Sequence, residues 1–312
     1  MEFFEAYRKI QALKDNLERV IRGKSGVIEL AISALLSKGH LLIEDVPGVG
    51  KTTLAHSLAK SISCSFQRIQ FTSDLLPSDV IGVTVYNQAL NTFEFRQGPI
   101  FANIVLADEI NRATPKTQSA LLEAMNDRQV SVDKATYPLP KPFMLLATQN
   151  PLEFSGTFPL PESQLDRFTM CLRIGYPDEA HEKEIMRSDP ASAIQELMPV
   201  LTTGDIEGMQ AASGRVHVEE DLVSYIMAIA SGTRAHRAIR LGVSPRATMT
   251  LYKAAQARAL TSGREYCIPD DIKLLSVPVF AHRIIPAGRV EEGIEGPSSL
   301  IEDVVSGIAV PV

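Results

Sequence analysis

No stretch of this 312-residue sequence approaches the roughly 18 consecutive apolar residues that a membrane-spanning helix needs. The opening residues, Met1-Glu2-Phe3-Phe4-Glu5, lack the basic region and apolar segment of a secretory leader, so the expected location is the cytoplasm. Cysteine is scarce. Cys64, Cys171 and Cys267 lie far apart and include no Cys-x-x-Cys pair, which excludes a disulfide framework and a zinc knuckle and predicts reduced thiols in apolar surroundings. The six histidines (His40, His56, His181, His217, His236, His282) fall at no metal-ligand spacing. His181-Glu182-Lys183-Glu184-Ile185 looks like a zinc-protease helix only superficially; the second histidine is missing, and the run reads as a solvated helix face. There is no block of lysine or arginine, and the formal net charge is −6. Nonspecific attraction of the whole molecule to nucleic acid or anionic lipid is therefore not expected, though a local basic pore or groove is compatible with that balance. Internal repeats and low-complexity segments are also absent.

What remains is ordinary globular composition, 45% hydrophobic and 22% charged, in a chain long enough for two domains of about 150 residues. Residues 27–37 read as a helix, with Ile28, Ile32 and Leu35 on one face and Gly39 as its C-cap. Leu41-Leu42-Ile43 suits a buried parallel strand. Leu54, Leu58 and Ile62 recur every four residues, so a helix begins near Lys51. Residues 66–71, Ile104-Val105-Leu106-Ala107, Met144-Leu145-Leu146-Ala147 and Met170-Cys171-Leu172 supply four further strands. Thr114 and Pro115 open a helix through Leu121, Leu122 and Met125. Apolar strands alternating with amphipathic helices predict βαβ units and a parallel sheet covered on both faces. After Tyr176-Pro177-Asp178 the pattern becomes helical, with no convincing strand as far as Phe280. The tail holding Pro286, Gly288, Gly293, Gly296 and Pro297 resists assignment. The expected organisation is an α/β domain over residues 1–176, then a smaller all-α domain over 177–312.

Between the first strand and its helix stands Glu44-Asp45-Val46-Pro47-Gly48-Val49-Gly50-Lys51-Thr52-Thr53. Glycines let backbone N–H groups turn inward, and the helix N-terminus adds the positive end of its dipole. Lys51 can then reach the β- and γ-phosphates of a nucleotide, and the Thr52 hydroxyl can ligate Mg²⁺. Asp45 stands where the usual eight-residue pattern has its first glycine. Asp108-Glu109 ends a buried strand, where a carboxylate projects toward the ligand edge of a parallel sheet. Asp108 is placed to hold Mg²⁺, mostly through water, and Glu109 to orient the attacking water. Asn150 ends another buried strand and can hydrogen-bond that water or the γ-phosphate; by itself a strand-end Asn is more often a turn former. Arg167, in Leu165-Asp166-Arg167-Phe168, precedes a strand and cannot easily reach its own loop, so it could serve a neighbouring subunit. Arg246, in Ser244-Pro245-Arg246-Ala247, opposes the dipole of the helix it opens. A ligand and a solvated surface position both remain open for it.

The order Gly-rich loop, Asp-Glu strand end, Ala-Thr-Gln-Asn-Pro, Leu-Asp-Arg-Phe and Ser-Pro-Arg resembles the AAA+ ATPases. In detail, residues 39–52, 107–113, 147–151, 158–168, 242–247 and Ala281-His282-Arg283 resemble the signatures of the MoxR family, and Asp45 fits that family. The resemblance runs from about Val20 to Arg283. It implies a P-loop αβα domain with an all-α lid, ATP and Mg²⁺ as cofactors, and a homo-oligomer, a hexameric ring, with ATP between subunits. By position, Asn150 resembles sensor 1, Arg167 the trans-acting arginine finger and Arg246 sensor 2, while Val20, Ile21 and Gly23 lie near the adenine. Residues 82–98 resemble the family's extra hairpin and residues 128–140 the hairpin before sensor 1, both facing the ring pore.

The resemblance implies a chaperone-like ATPase that remodels or activates a protein client, such as a partner with a von Willebrand factor A domain, in metal-cofactor insertion or complex maturation. A nucleic-acid-directed motor is a second expectation, disfavoured by the acidic balance. A scaffold that binds nucleotide without hydrolysing it is a third, opposed by the intact Glu109.

Overall fold

The computed structural model describes residues 1–133, 135–150, 156–187, 190–288 and 296–311. Lys134, Pro151 and Gly293, which fall within segments discussed above, lie outside the described residues. Helices α1 (Phe3–Glu18) and α2 (Ser25–Leu36) lead into β1 (Leu41–Glu44), α3 (Lys51–Ser61) and β2 (Phe66–Gln70). A short α4 (Pro77–Ile81) precedes a hairpin of β3 (Gly82–Asn87) and β4 (Thr92–Gln97). Then come β5 (Ile104–Asp108), α5 (Pro115–Asp127), a second hairpin of β6 (Gln129–Val132) and β7 (Ala135–Pro138), and β8 (Met144–Gln149). A short α6 (Glu162–Leu165) leads to β9 (Met170–Leu172), α7 (Glu179–Arg187) and α8 (Pro190–Glu196). The remainder is α9 (Thr203–Ser213), α10 (Glu220–Ala235), β10 (Ile239–Leu241), α11 (Pro245–Thr261), α12 (Pro269–Phe280), β11 (Ile285–Pro286) and α13 (Pro297–Ser306).

The central sheet runs β2-β5-β8-β1-β9, and every pairing in it is parallel. Because successive strand side chains point to opposite faces, each apolar strand feeds two cores. Leu41, Ile43, Ile104, Leu106 and Leu146 join one cluster with α1, α2 and α3, while Leu42, Val105, Ala107 and Leu145 join another with α5. This double burial is why β1, β5 and β8 are continuous apolar runs rather than alternating ones. The first cluster continues without interruption into α9, α10, α11 and α12 through Ile206, Ile226, Leu251 and Leu275. Glu29 of α2 receives hydrogen bonds from Lys14 of α1 and Arg258 of α11, each 2.5 Å long, and so ties three helices together.

Several local expectations are corrected. The left-handed residue ending α2 is Lys38, with φ 59°, rather than Gly39. Gly39 N donates to Ala34 O at 2.8 Å and Lys38 N to Leu35 O at 3.1 Å, a Schellman closure. Glycine at 39 has a packing reason instead: a Cβ there would lie 2.0 Å from Thr169 Oγ1. Thr114 precedes Pro115 as expected, yet its side chain makes no cap bond to the backbone. The second half does contain strand: β10 pairs antiparallel with β11. Residues 297–306, in the tail, form α13, which buries Leu300 and Ile301. The N-terminal α1 buries Ile10, Leu13 and Leu17. Both expected hairpins are present, and they touch: Phe95 stacks on Tyr137 with ring centroids 4.3 Å apart.

Candidate nucleotide-binding site

The turn from β1 into α3 takes its shape from two glycines in the left-handed region, Gly48 at φ 87° and Gly50 at φ 95°. A side chain there would be strained, and a Cβ on Gly48 would project into open space with no atom within 4 Å, where a bound group needs access to the backbone. Gly50 is the N-cap of α3, so Lys51, Thr52 and Thr53 form its first turn beside unpaired amides. Pro47 is exposed, Val49 is half-buried against the main core, and Lys51, Thr52 and Thr53 are half-buried. The Lys51 ammonium donates to the Asp45 carbonyl. Burial lowers its proton affinity, and the charges of Asp45, Asp108 and Glu109 oppose that fall.

Asp45 has a structural task. Its Oδ1 accepts from Val46 N at 2.9 Å and its Oδ2 from Gly175 N at 2.7 Å, which fastens the start of the loop to the segment after β9. Lys24 Nζ reaches the Tyr176 carbonyl at 2.7 Å. His181 lies so close to Gly23 that a Cβ on that glycine would stand 2.7 Å from the imidazole Nδ1. Val20 and Ile21 pack on the main core beside them. Glu182, Lys183 and Glu184 are exposed as expected of a solvated face, whereas His181 is half-buried and bonded to Asp178 at 2.7 Å.

Two strands from β1, β5 ends in Asp108, aligned with Gln70 of β2. Asp108 Oδ1 accepts from the Thr148 hydroxyl at 2.6 Å, and its Oδ2 accepts from Arg68 at 2.6 Å and 3.1 Å. Glu109 sits in the left-handed region at φ 57°. For a non-glycine this conformation costs roughly 1–3 kcal/mol and persists where the surroundings impose it. Its amide donates to Thr148 Oγ1 at 2.8 Å, and its carboxylate accepts from Gln70 at 2.8 Å and Arg112 at 3.3 Å. Asn150 is buried at the end of β8. Arg68, Gln70, Arg112 and Thr148 did not emerge from the sequence reading. The available signal was in β2, where polar Arg68 and Gln70 flank buried Ile69.

Arg167 and Arg246 are elsewhere. Both line a cleft of about 590 Å³ together with Gly39, His40, Arg128, Asp166 and Lys253. Gly39 and His40 precede β1, whereas the glycine loop follows its last residue, Glu44. At about 3.3 Å per residue, the strand separates the two places by more than 10 Å. The two arginines are thus brought together, but away from Lys51. Arg167 donates to the Leu122 carbonyl at 2.7 Å, and Arg246 is exposed in the first turn of α11.

The loop, the acid pair and the donor set fit a nucleotide and its metal: a hard cation favours hydroxyl and carboxylate oxygens such as those of Thr52 and Asp108. Sheet order, glycine loop and paired strand-end acids, followed by helices packed as a lid, define an AAA+ ATPase module. The family model for the ATPase family associated with various cellular activities (AAA) matches residues 40–170, and the AAA lid domain model matches residues 231–304. Chaperone MoxR1 of Mycobacterium tuberculosis is 39% identical, with 95% of this chain and 80% of that protein covered. An uncharacterized protein of Bacillus subtilis, YeaC, is 48% identical over 96% of this chain and 93% of its own length. A crystal structure of a candidate ATPase from Cytophaga hutchinsonii superposes with a TM-score of 0.91 at 36% identity, covering 99% of this chain and 97% of that one. The chain belongs to the MoxR family of AAA+ ATPases.

Proposed function

We propose that this protein binds MgATP in the Gly48–Lys51 loop, hydrolyses it to ADP and phosphate, and uses the cycle to remodel or activate a protein client. The observation that carries the reading is the junction of three things at one sheet edge: a left-handed glycine turn on a helix N-terminus, Lys51, and Asp108-Glu109 two strands away. Lys51 holds the β- and γ-phosphates, and the amides following Pro47 wrap them. Held by Thr52 and Asp108, Mg²⁺ would draw charge off the phosphate oxygens. Arg68, now on Asp108, shares that carboxylate or swings away when the metal binds. Glu109 orients a water for in-line attack once Gln70 releases its carboxylate, and Asn150 holds the water or the γ-phosphate. Val20, Ile21 and Gly23, with His181 beside them, border the adenine.

Arg167 and Arg246 share a cleft at the opposite end of β1. This supports a homo-oligomer, a hexameric ring, in which each subunit offers both arginines to its neighbour's γ-phosphate; such a group in trans contributes about 10³–10⁵ in rate. Residues 1–176 form the nucleotide domain and 177–312 the lid. Tyr86, Leu90 and Phe93, the last 74% exposed, crowd the first hairpin and offer an apolar surface to the client. The proposal extends to a partner carrying a von Willebrand factor A domain and to metal-cofactor insertion or complex maturation in the cytoplasm. Among the described residues, no helix is long and apolar enough to cross a membrane.

Glu109→Gln tests the chemistry. It should bind ATP with wild-type affinity and hydrolyse it about 10²–10⁴-fold more slowly; wild-type turnover would remove Glu109 from the mechanism. The same variant, used as a nucleotide-locked bait for mass spectrometry, should retain client proteins that Lys51→Ala does not.

A further inference from the structure

The basic cleft carries a problem of charge. Lys38, Arg128, Arg167, Arg246 and Lys253 line it, and Asp166 is the single acid among the described lining residues. Asp166 adjoins Arg167 in the chain. Left unpartnered, its carboxylate would pair with one of the cleft arginines and cancel the field that an anion must feel.

The structure gives that carboxylate other partners. Ser244 Oγ donates to both of its oxygens, at 3.0 and 2.9 Å. Arg283 Nε stands 3.2 Å from Oδ1 in an ion pair whose angle falls short of a hydrogen bond. The Arg283 guanidinium also donates to the Asp166 carbonyl at 3.2 Å, to the Phe168 carbonyl, and to the Val279 carbonyl at 2.7 Å. Arg283 is 5% exposed. Burial pulls its proton affinity down to about 10, with Asp166 opposing the fall and nearby Arg246 adding to it. Neither Arg167 nor Arg246 forms an ion pair with Asp166. Topology explains how these segments meet. β11 follows Arg283 and pairs with β10, which lies just before Ser244 and Arg246. His282 Nε2 lies 3.2 Å from the same Phe168 carbonyl, so the Ala281-His282-Arg283 segment is anchored on the Arg167 segment.

We propose that Arg283 and Ser244 are positioning residues that keep the Asp166 carboxylate off Arg167 and Arg246 and lock both arginine-bearing segments into one unit facing an anion. The cleft's anion is taken to be a phosphate group of the neighbouring subunit's nucleotide, so the inference rests on the interface reading above. A variant of either residue loses its capacity to donate the arginines while keeping its own nucleotide loop, which lies at the far end of β1.

The test uses full-length Arg283→Met and Ser244→Ala, alone and mixed with Lys51→Ala subunits, with Arg167→Ala as the reference. Alone, each should hydrolyse ATP at least about tenfold more slowly than wild type, while affinity for a fluorescent ATP analogue stays within about twofold. Mixed with Lys51→Ala, whose arginine face is intact, each should recover activity as Arg167→Ala does. Arg283→Met/Asp166→Asn, which removes the freed carboxylate, should recover part of the activity unmixed. A purely structural role would not produce recovery that depends on which subunit donates. If Arg167→Ala recovers on mixing and a folded Ser244→Ala or Arg283→Met does not, the positioning role is overturned. Wild-type turnover in both variants overturns it as well. If Arg167→Ala itself fails to recover in verified mixed assemblies, the interface reading falls and takes this inference with it. Should thermal unfolding show that Arg283→Met does not fold, Ser244→Ala decides the matter: it removes one half-buried hydroxyl, which also caps α11 by accepting from Ala247 N at 3.1 Å.

Discussion

Thr148 joins the two acids of the site: its hydroxyl donates to Asp108 and accepts from the Glu109 amide. Thr148→Val keeps the shape and removes both bonds, leaving a left-handed Glu109 with an unpaired amide. Such a loss costs about 1–3 kcal/mol, so turnover should fall about tenfold or more with nucleotide affinity retained; unaltered kcat would show that Thr148 does not hold Glu109. Lys51→Ala should weaken ATP binding by about 10–100-fold, the worth of a hydrogen-bonded charge on phosphate, and isothermal titration would read it directly. The thiols have no comparable part. Burial pushes Cys64 and Cys267 up to about 12 and Cys171 well above its ordinary value, which leaves all three protonated and unreactive at neutral pH. Among these residues, Lys51 and Thr52 were legible from the sequence because they open a helix behind a glycine turn, and Asp108 and Glu109 because they stand where a buried strand ends. Thr148, Gln70 and Arg68 were not, because only strand pairing brings them alongside.

Helix contacts outside the site set two further expectations. Gly39 touches the Thr169 side chain, so Gly39→Ala overpacks the junction between α2 and β9 and should destabilise by about 1–3 kcal/mol. Denaturant unfolding would measure it, and an unchanged midpoint would show that the Thr169 side chain gives way without cost. Lys9 of α1 bonds Asp205 of α9 at 2.5 Å. That hydrogen bond, with the Thr202 amide, holds the Asp205 carboxyl down to about 2, below the ordinary 3.8. A depressed carboxyl contributes stability that is whole above pH 3.8 and is lost as pH falls toward 2. Asp205→Asn should therefore flatten the fall in stability across that acid window; an unchanged slope would show that α1 and α9 are not coupled through this pair. The helical periodicities of α2, α3 and α5 were visible in sequence. The pair β10 and β11 was not, since a strand of two or three residues carries no period and forms only when its partner arrives.

At the scale of the molecule, one apolar core runs from the sheet through α1 and α2 into α9, α11 and α12. The lid is packed on the N-terminal helices, and this places Arg246 in the same cleft as Arg167. If each nucleotide is completed by a neighbour's arginines, turnover per subunit should drop on dilution, in step with the assembly's dissociation measured by light scattering. Constant specific activity in a preparation verified as monomeric would exclude a shared site.

The sequence by itself determined the parallel αβα layer, the glycine loop and the acid pair. Those features are local: an apolar run, a turn and a strand-end residue each carry their own physical cause. Tertiary structure alone decided which polar side chains surround the acids, that Asp45 braces the loop to Gly175, and that Asp166, Ser244 and Arg283 meet. These pairings join residues tens to more than a hundred positions apart, and their partners become defined only when the chain closes around its core.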